Sequence, residues 1–195
     1  VKKEGKGKRM REIVLFIAMS LDGYIADRDG GVDWLAGQGE AGAEADTYPD
    51  FVKDVDTVLM GWKTYHQVAT ELSPEEWVYS DLKSYVITHR ELPSTEQIRF
   101  TNENPCSLVR RLRQEPGKRI WICGGSHLIG QLMREDLVDL YVISVIPTIL
   151  GGGIPLFSEL EKERKLRLAG TWAADGIVEL VYRRRETKSE GGTIQ

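Results

Sequence analysis

The chain has 195 residues, of which 41% are hydrophobic and 29% charged, and a formal net charge of −4. That is enough chain for one domain with a substantial core, and the balance is ordinary for a globular protein. It supplies no general basic field, which argues against wholesale nucleic-acid binding, and no apolar run approaches the ~18 residues that a membrane-spanning helix needs.

Two cysteines, Cys106 and Cys123, make no disulfide framework and fit a reducing cytoplasm. His66, His89 and His127 stand far apart, and no Cys/His spacing typical of zinc occurs, so no metal site is expected. Residues 1–10 are charged and contain glycine. They lack the apolar centre of a signal peptide and read as a flexible extension.

Residues 13–19 form a near-continuous apolar run, as in a central strand covered on both faces. A loop rich in turn residues follows over 20–31, and its Tyr24 and Ile25 can fold back over a site. Residues 37–43 are small and polar and read as mobile. Residues 44–55 read as a helix with Phe51, Val52 and Val55 inward, although Pro49 weakens it. Residues 56–61 form a second strand ending at Gly61, and a helix begins at Trp62. Lys63 then sits near a helix N-terminus, against the dipole preference, which becomes useful if an anion occupies that place.

Ser73, Pro74, Glu75 and Glu76 have the order of a helix start: a cap, proline at the first position, then acids. Residues 84–88 form a third strand, whose tip carries Thr88, His89 and Arg90. Residues 98–101 are a short strand. Asn104 and Pro105 open a helix with Leu108, Val109 and Leu112 inward, and Pro116 and Gly117 stop it.

Ile120, Trp121, Ile122 and Cys123 are a buried strand, followed by Gly124 and Gly125 and then a helix with Ser126 as its expected N-cap. Leu128, Ile129, Leu132 and Met133 give that helix one apolar face. Residues 137–146 are a strand ended by Pro147, and 148–157 a glycine-rich connection. Residues 166–173 and 177–183 are strands around the hairpin signal Asp175-Gly176. Strands alternating with helices imply an α/β fold with a mostly parallel sheet, helices on both faces and an antiparallel C-terminal hairpin. One domain spans 11–185, and 186–195 is a polar tail.

Three strands end alike, at Gly61, at Thr88 and at Gly124-Gly125. Ligands of open α/β sheets bind at the carboxyl ends of strands. Those ends bring helix N-termini and Lys63, His89 and Arg90 to one crevice suited to a ligand with several phosphates. Neither a G-x-G-x-x-G nor a P-loop motif is present.

The order of motifs resembles the dihydrofolate reductase-like family, and most closely the branch with the reductase domain of the riboflavin-biosynthesis deaminase-reductase. The motifs are Met19-Ser20-Leu21-Asp22-Gly23-Tyr24-Ile25-Ala26, then Asp56-Thr57-Val58-Leu59-Met60-Gly61-Trp62-Lys63-Thr64-Tyr65, Val86-Ile87-Thr88-His89-Arg90, Ile122-Cys123-Gly124-Gly125 and Pro147-Thr148-Ile149-Leu150-Gly151-Gly152-Gly153-Ile154-Pro155-Leu156-Phe157. The resemblance runs from residue 13 to about 183, nearly the whole chain.

The resemblance implies an NADPH-dependent reductase of a pterin-, pyrimidine- or flavin-precursor-like heterocycle, similar to 5-amino-6-(5-phosphoribosylamino)uracil reductase. Its alternatives are a dihydrofolate reductase, or a nucleotide-binding module without turnover. It implies that Ala18 and Ile25 line the nicotinamide pocket. Gly61, Trp62, Lys63 and Thr64, with Gly124, Gly125, Ser126, His127 and Leu128, would hold the pyrophosphate. Thr88, His89 and Arg90 would meet the adenosine 2′-phosphate, and Gly124–Gly125 would be a cis peptide. The family commonly has arginine where this chain has Trp62, so either Lys63 compensates or Trp62 stacks on adenine. A proton donor would come from the first helix, where Asp46 and Asp50 are candidates beside a plain reading as surface acids; Thr47 matches equally well by its spacing from Phe51. A cytoplasmic homodimer, with a small heterocycle as its partner, completes the expectation.

Overall fold

The computed structural model describes residues 10–36 and 47–185. Ten strands occur among them. β1 (Ile13–Ser20), β2 (Tyr24–Ala26), β3 (Val55–Gly61), β4 (Lys83–Ile87) and β5 (Ile98–Thr101) precede β6 (Arg119–Gly124). β7 (Leu140–Ile146), β8 (Ile154–Pro155), β9 (Leu166–Ala174) and β10 (Ile177–Arg184) complete the set. The α-helices are α1 (Tyr48–Val52), α2 (Trp62–Gln67), α3 (Pro105–Gln114) and α4 (Ser126–Arg134). No helix among the described residues is long and apolar enough to cross a membrane.

Eight strands form one sheet in the order β5-β4-β3-β6-β1-β7-β10-β9. The first six run parallel, and β10 and β9 add an antiparallel hairpin. β2 and β8 pair separately. The hairpin turns at Asp175 and Gly176, both with positive φ, as a tight two-residue connection requires.

Side chains alternate between two covered faces. Ile13, Leu15, Leu59, Ile120, Ile122 and Ile143 point to the face that α3 and α4 cover through Leu108, Leu112, Ile129 and Leu132. Val58, Met60, Val86 and Trp121 point to the other, where Phe51, Tyr65, Trp77 and Tyr79 close over them. Trp121 anchors that face: its indole N–H donates to the Phe16 carbonyl at 2.9 Å, and Phe51 and Tyr79 meet it edge-on.

Several boundaries differ from expectation. The helix expected over 44–55 is described only as α1, and Val55 already belongs to β3. The extension 1–9, the segment 37–46 with Asp46, and the tail 186–195 lie outside the described residues. Ser73 starts no helix. A wide π-type turn, Val68–Leu72, ends beside it, and its hydroxyl donates to the Glu76 carbonyl. Trp77 and Tyr79 then pack against each other and onto Tyr65 and Trp121 respectively, which fixes the segment as turns. Ser126 is not a cap. Gly125 takes that position, and the Ser126 hydroxyl instead donates to the Pro155 carbonyl at 2.6 Å. Asn104 does cap α3, its side chain accepting from the Cys106 and Ser107 amides.

Candidate functional site

Parallel β4, β3 and β6 are neighbours, so their carboxyl ends open on one edge of the sheet. The three expected corners therefore meet. A Cβ on Gly61 would stand 3.9 Å from the Gly125 nitrogen, and one on Gly125 would stand 3.4 Å from Thr64 Oγ1. The Gly124–Gly125 peptide is cis, and Gly124 has φ +141°, a conformation that L side chains rarely adopt. The start of α2 and the start of α4 thus meet at bare backbone on the carboxyl edge of the sheet.

Two cations near this corner hold no carboxylate among the described residues. Arg11, Arg110, Arg111, Arg113, Arg119, Arg183 and Arg184 each hold a carboxylate. Arg90 and Lys63 hold none among the described residues. Instead the Arg90 guanidinium lies over the Trp62 ring, 4.8 Å from its centroid. Such stacking leaves the N–H edge of the guanidinium free to fork onto an anion. The expectation that Trp62 stacks on adenine or that Lys63 stands in for the missing arginine is joined by a third arrangement: Trp62 carries an arginine that arrives from β4. Thr88 is buried and accepts from the Arg90 amide at 3.1 Å, which shapes that tip, while the His89 side chain is exposed.

Ser126 and exposed His127 begin α4, with His127 in contact with Gln131. The Leu128 side chain is in the core, so only its backbone is available to the groove. Ala18 is half-buried near the end of β1, and Ile25 on β2 packs against the core. The loop over 20–31 is tied down at several points beyond the pairing of β2 with β8. Gln67 donates to the Gly30 carbonyl at 2.9 Å, and Asp22 accepts from the amides of Leu150 and Gly151 at 3.1 and 2.8 Å. The Ser20 hydroxyl bond, with those two amides, holds the Asp22 carboxyl below its usual range. Gly153 has φ +153°, and a Cβ there would fall 2.2 Å from the Ala26 carbonyl oxygen, so glycine is required where β8 meets β2.

Asp50 points to solvent, 87% exposed, and pairs with Lys53 at 2.6 Å; it is a surface acid of the helix's first turn. Cys123 faces the aromatic layer beside the Tyr79 hydroxyl, and burial pushes its thiol up to about 11, away from nucleophile chemistry. Among the described residues no three His, Cys, Asp or Glu side chains gather as a metal site needs. Two further surface hollows lie outside the groove, one beside Ser94, Arg99 and Arg111, the other at the amino edge of the sheet around Arg113, Arg167 and Arg185.

The sequence reading overlooked one group. Glu179, on β10, is the only buried carboxylate among the described residues, and it accepts a hydrogen bond from the Thr47 hydroxyl. Its signal was present: an acid interrupts the apolar run Ile177-Val178-Glu179-Leu180-Val181.

The comparisons agree with this architecture. The model of the RibD C-terminal domain matches residues 11–178. The Bacillus subtilis (strain 168) protein YwjB, itself uncharacterized, is 45% identical over 176 residues, 88% of this chain and 97% of YwjB. The riboflavin biosynthesis protein RibD of Haemophilus influenzae is 24% identical over 218 residues, 89% of this chain and 58% of RibD. Among solved structures, a Shewanella sp. PV-4 protein named for riboflavin biosynthesis superposes with a TM-score of 0.78 at 28% identity, covering 90% of this chain and 99% of that one. Enterococcus faecalis dihydrofolate reductase, complexed with NADP(H), shares the fold at a TM-score of 0.57 and 12% identity, over 90% of this chain and 97% of its own. The chain belongs to the RibD C-terminal domain family and has the dihydrofolate reductase-like α/β fold.

Proposed function

We propose that the protein is an NADPH-dependent reductase of a pterin-, pyrimidine- or flavin-precursor-like heterocycle, similar to 5-amino-6-(5-phosphoribosylamino)uracil reductases. The observation that carries this reading is the presence of two cations, Lys63 and Arg90, that hold no carboxylate among the described residues, near a glycine corner shared by parallel strands. Unpaired cations beside bare backbone suit the phosphates of a dinucleotide, and a cationic fork on an indole suits a terminal phosphate monoester.

A nicotinamide supplies the hydride when bound. The chain's part is to bind, orient and dry. Gly61, Gly124 and Gly125 let the dinucleotide backbone come close. Ala18 offers a small flat surface at the end of β1. The loop over 20–31, held by Gln67 and Asp22, covers the side from which water would enter. We place this activity in the cytoplasm, with the heterocycle as the partner molecule and no nucleic acid.

Titration with NADPH, followed by quenching of tryptophan emission, tests the reading. Trp62 lies under the proposed phosphate ligand, so saturable quenching in the micromolar range is expected. Absence of binding overturns the reading. A screen of heterocycles under NADPH absorbance then identifies the substrate.

A further inference from the structure

The amino edge of the sheet, at the far end from the crevice, carries a hollow of about 790 Å³. Among the described residues six arginines line it, Arg11, Arg113, Arg167, Arg183, Arg184 and Arg185, against two carboxylates, Glu12 and Asp139. The chain as a whole has a net charge of −4, so this excess of positive charge is a local feature and no share of a general field. The carboxylates of this edge are shared. Arg11 is answered by Asp56, but Glu12 serves both Arg119 and Arg183, and Asp139 serves both Arg113 and Arg184. Arg184 also reaches Asp136, which Arg164 approaches from the other side. One acid between two guanidiniums leaves the group positive.

The register concentrates that charge on the terminal hairpin. Arg167 on β9 and Arg183 on β10 are directly paired. Paired residues project from the same face with their Cβ atoms about 5 Å apart, where two like charges repel. Arg185 adds a third guanidinium: its Nε donates to the Leu166 carbonyl at 3.0 Å, which lays the side chain back toward β9. Arg183 reaches inward to Glu12, while Arg167 and Arg185 stand exposed on the outer side. An anion seated among the three turns their repulsion into attraction.

We propose that this hollow is a second anion site, for a small oligophosphate, with Arg167 and Arg185 as its forks and Arg183 as its inner wall. A guanidinium presents paired N–H donors that match two oxygens of one phosphoryl group. Forks about one strand spacing apart match neighbouring phosphoryl groups of one chain, and the hollow has room for several. A monophosphate or a single carboxylate answers only one fork. β1 has eight residues, so roughly 25 Å of strand separates the hollow from the crevice, and the site does not depend on the reductase reading.

The probe is inorganic tripolyphosphate, titrated by calorimetry into the full chain at about 0.15 M salt with NADPH saturating, so that the crevice is occupied. The same titration in Arg90→Ala, whose crevice has lost its fork, makes the result independent of NADPH. One tripolyphosphate is expected to bind in the micromolar range and to raise the melting temperature. Replacing both Arg167 and Arg185 by alanine is expected to weaken that binding at least tenfold and to abolish the thermal shift, with NADPH affinity unchanged. Arg167→Lys should weaken it several-fold, because an ammonium is a point charge and no fork. Arg167→Ala alone should melt no lower than the wild type in the absence of the anion, since it removes one member of a repelling pair. Guanidiniums that only stitch the edge predict the reverse: a lower melting temperature in Arg167→Ala and no response of the wild type to tripolyphosphate. Absence of binding overturns the proposal, as does equal binding by the double variant. Citrate, a trianion without phosphoryl groups, overturns the oligophosphate assignment if it binds as tightly. If the double variant does not fold, Arg167→Lys, which keeps the charge, decides by the same loss of affinity.

Discussion

Trp62 stands where the family commonly carries arginine, and its ring face is occupied by the Arg90 guanidinium. The positive charge at this corner comes from the tip of β4, where Arg90 lies over the indole. Arg90→Ala therefore removes the fork and leaves Lys63 with the pyrophosphate. A hydrogen-bonded charge pair contributes roughly 1.5–3 kcal/mol, so NADPH affinity is expected to fall by about 10- to 100-fold. NADH lacks the 2′-phosphate and is expected to lose little. Parallel titrations of the two cofactors measure this, and equal losses would make Arg90 an ordinary surface charge. At this scale the sequence displayed the cations and the glycines openly, because turn chemistry and charge are local properties. It hid the partners. That Arg90 lies on Trp62, or that Glu179 shares a face with Ala18, depends on strand order, which no single stretch encodes. Asp50 follows its plain reading as a surface acid, and the packing of Phe51 onto Phe16 sets which side of the helix faces inward.

Two glycine-rich segments clamp each other at the mouth of the crevice. Asp22 is the clasp, accepting from the Ser20 hydroxyl and from the Leu150 and Gly151 amides. Its carboxyl is held below the ordinary aspartate value of 3.8, chiefly by the Ser20 bond. A carboxyl with a lowered folded-state value contributes at pH above 3.8 and loses its contribution as pH falls through the lowered value. The clasp is thus closed at neutral pH and opens only in strong acid. Amide exchange at Leu150 and Gly151 is expected to stay protected down through mildly acidic pH in the wild type, after allowance for the intrinsic exchange rate. In Asp22→Ala the same amides should exchange faster already at neutral pH. Protection that is unaffected by the substitution would show that the β2–β8 pairing holds the loops without Asp22.

The elements themselves were legible where one signal dominated: the apolar runs of β1 and β6, the Asn104 cap, the Asp-Gly turn. The expected helix at Ser73 failed because two signals competed. Its cap sequence favours a helix, but Trp77 and Tyr79 are both pulled into the aromatic layer, a spacing that helical geometry does not satisfy.

Across the molecule, the two edges of the sheet divide the work. The carboxyl edge carries loops, glycines and free cations. The amino edge is stitched by charge: Glu12 bridges Arg119 on β6 and Arg183 on β10, Asp139 holds Arg113 and Arg184, and Arg11 pairs with Asp56. Those ties fix strand ends far apart in sequence and leave the opposite edge free to be shaped by ligand. The side of the sheet beyond β7 is less complete. Leu168 on β9 is 53% exposed and Val178 on β10 is 40% exposed. Through their pairings with Tyr182 and Val145, both face the side that α3 and α4 cover further along. Among the described residues β9 is also the last strand of the sheet, and its outer backbone edge pairs with no strand there. An apolar strip beside an open edge suits a second copy of the chain, packed two-fold so that each hairpin covers the other. A homodimer is the expected state by sedimentation. Leu168→Arg places a charge in that strip, where burial without a partner costs several kcal/mol, and should shift the protein to monomer. Because Leu168 is remote from Arg90 and Gly124, the monomer should keep its NADPH affinity. A wild type that sediments as a monomer at all concentrations would instead leave the strip as plain exposed surface, with the crevice complete in a single chain.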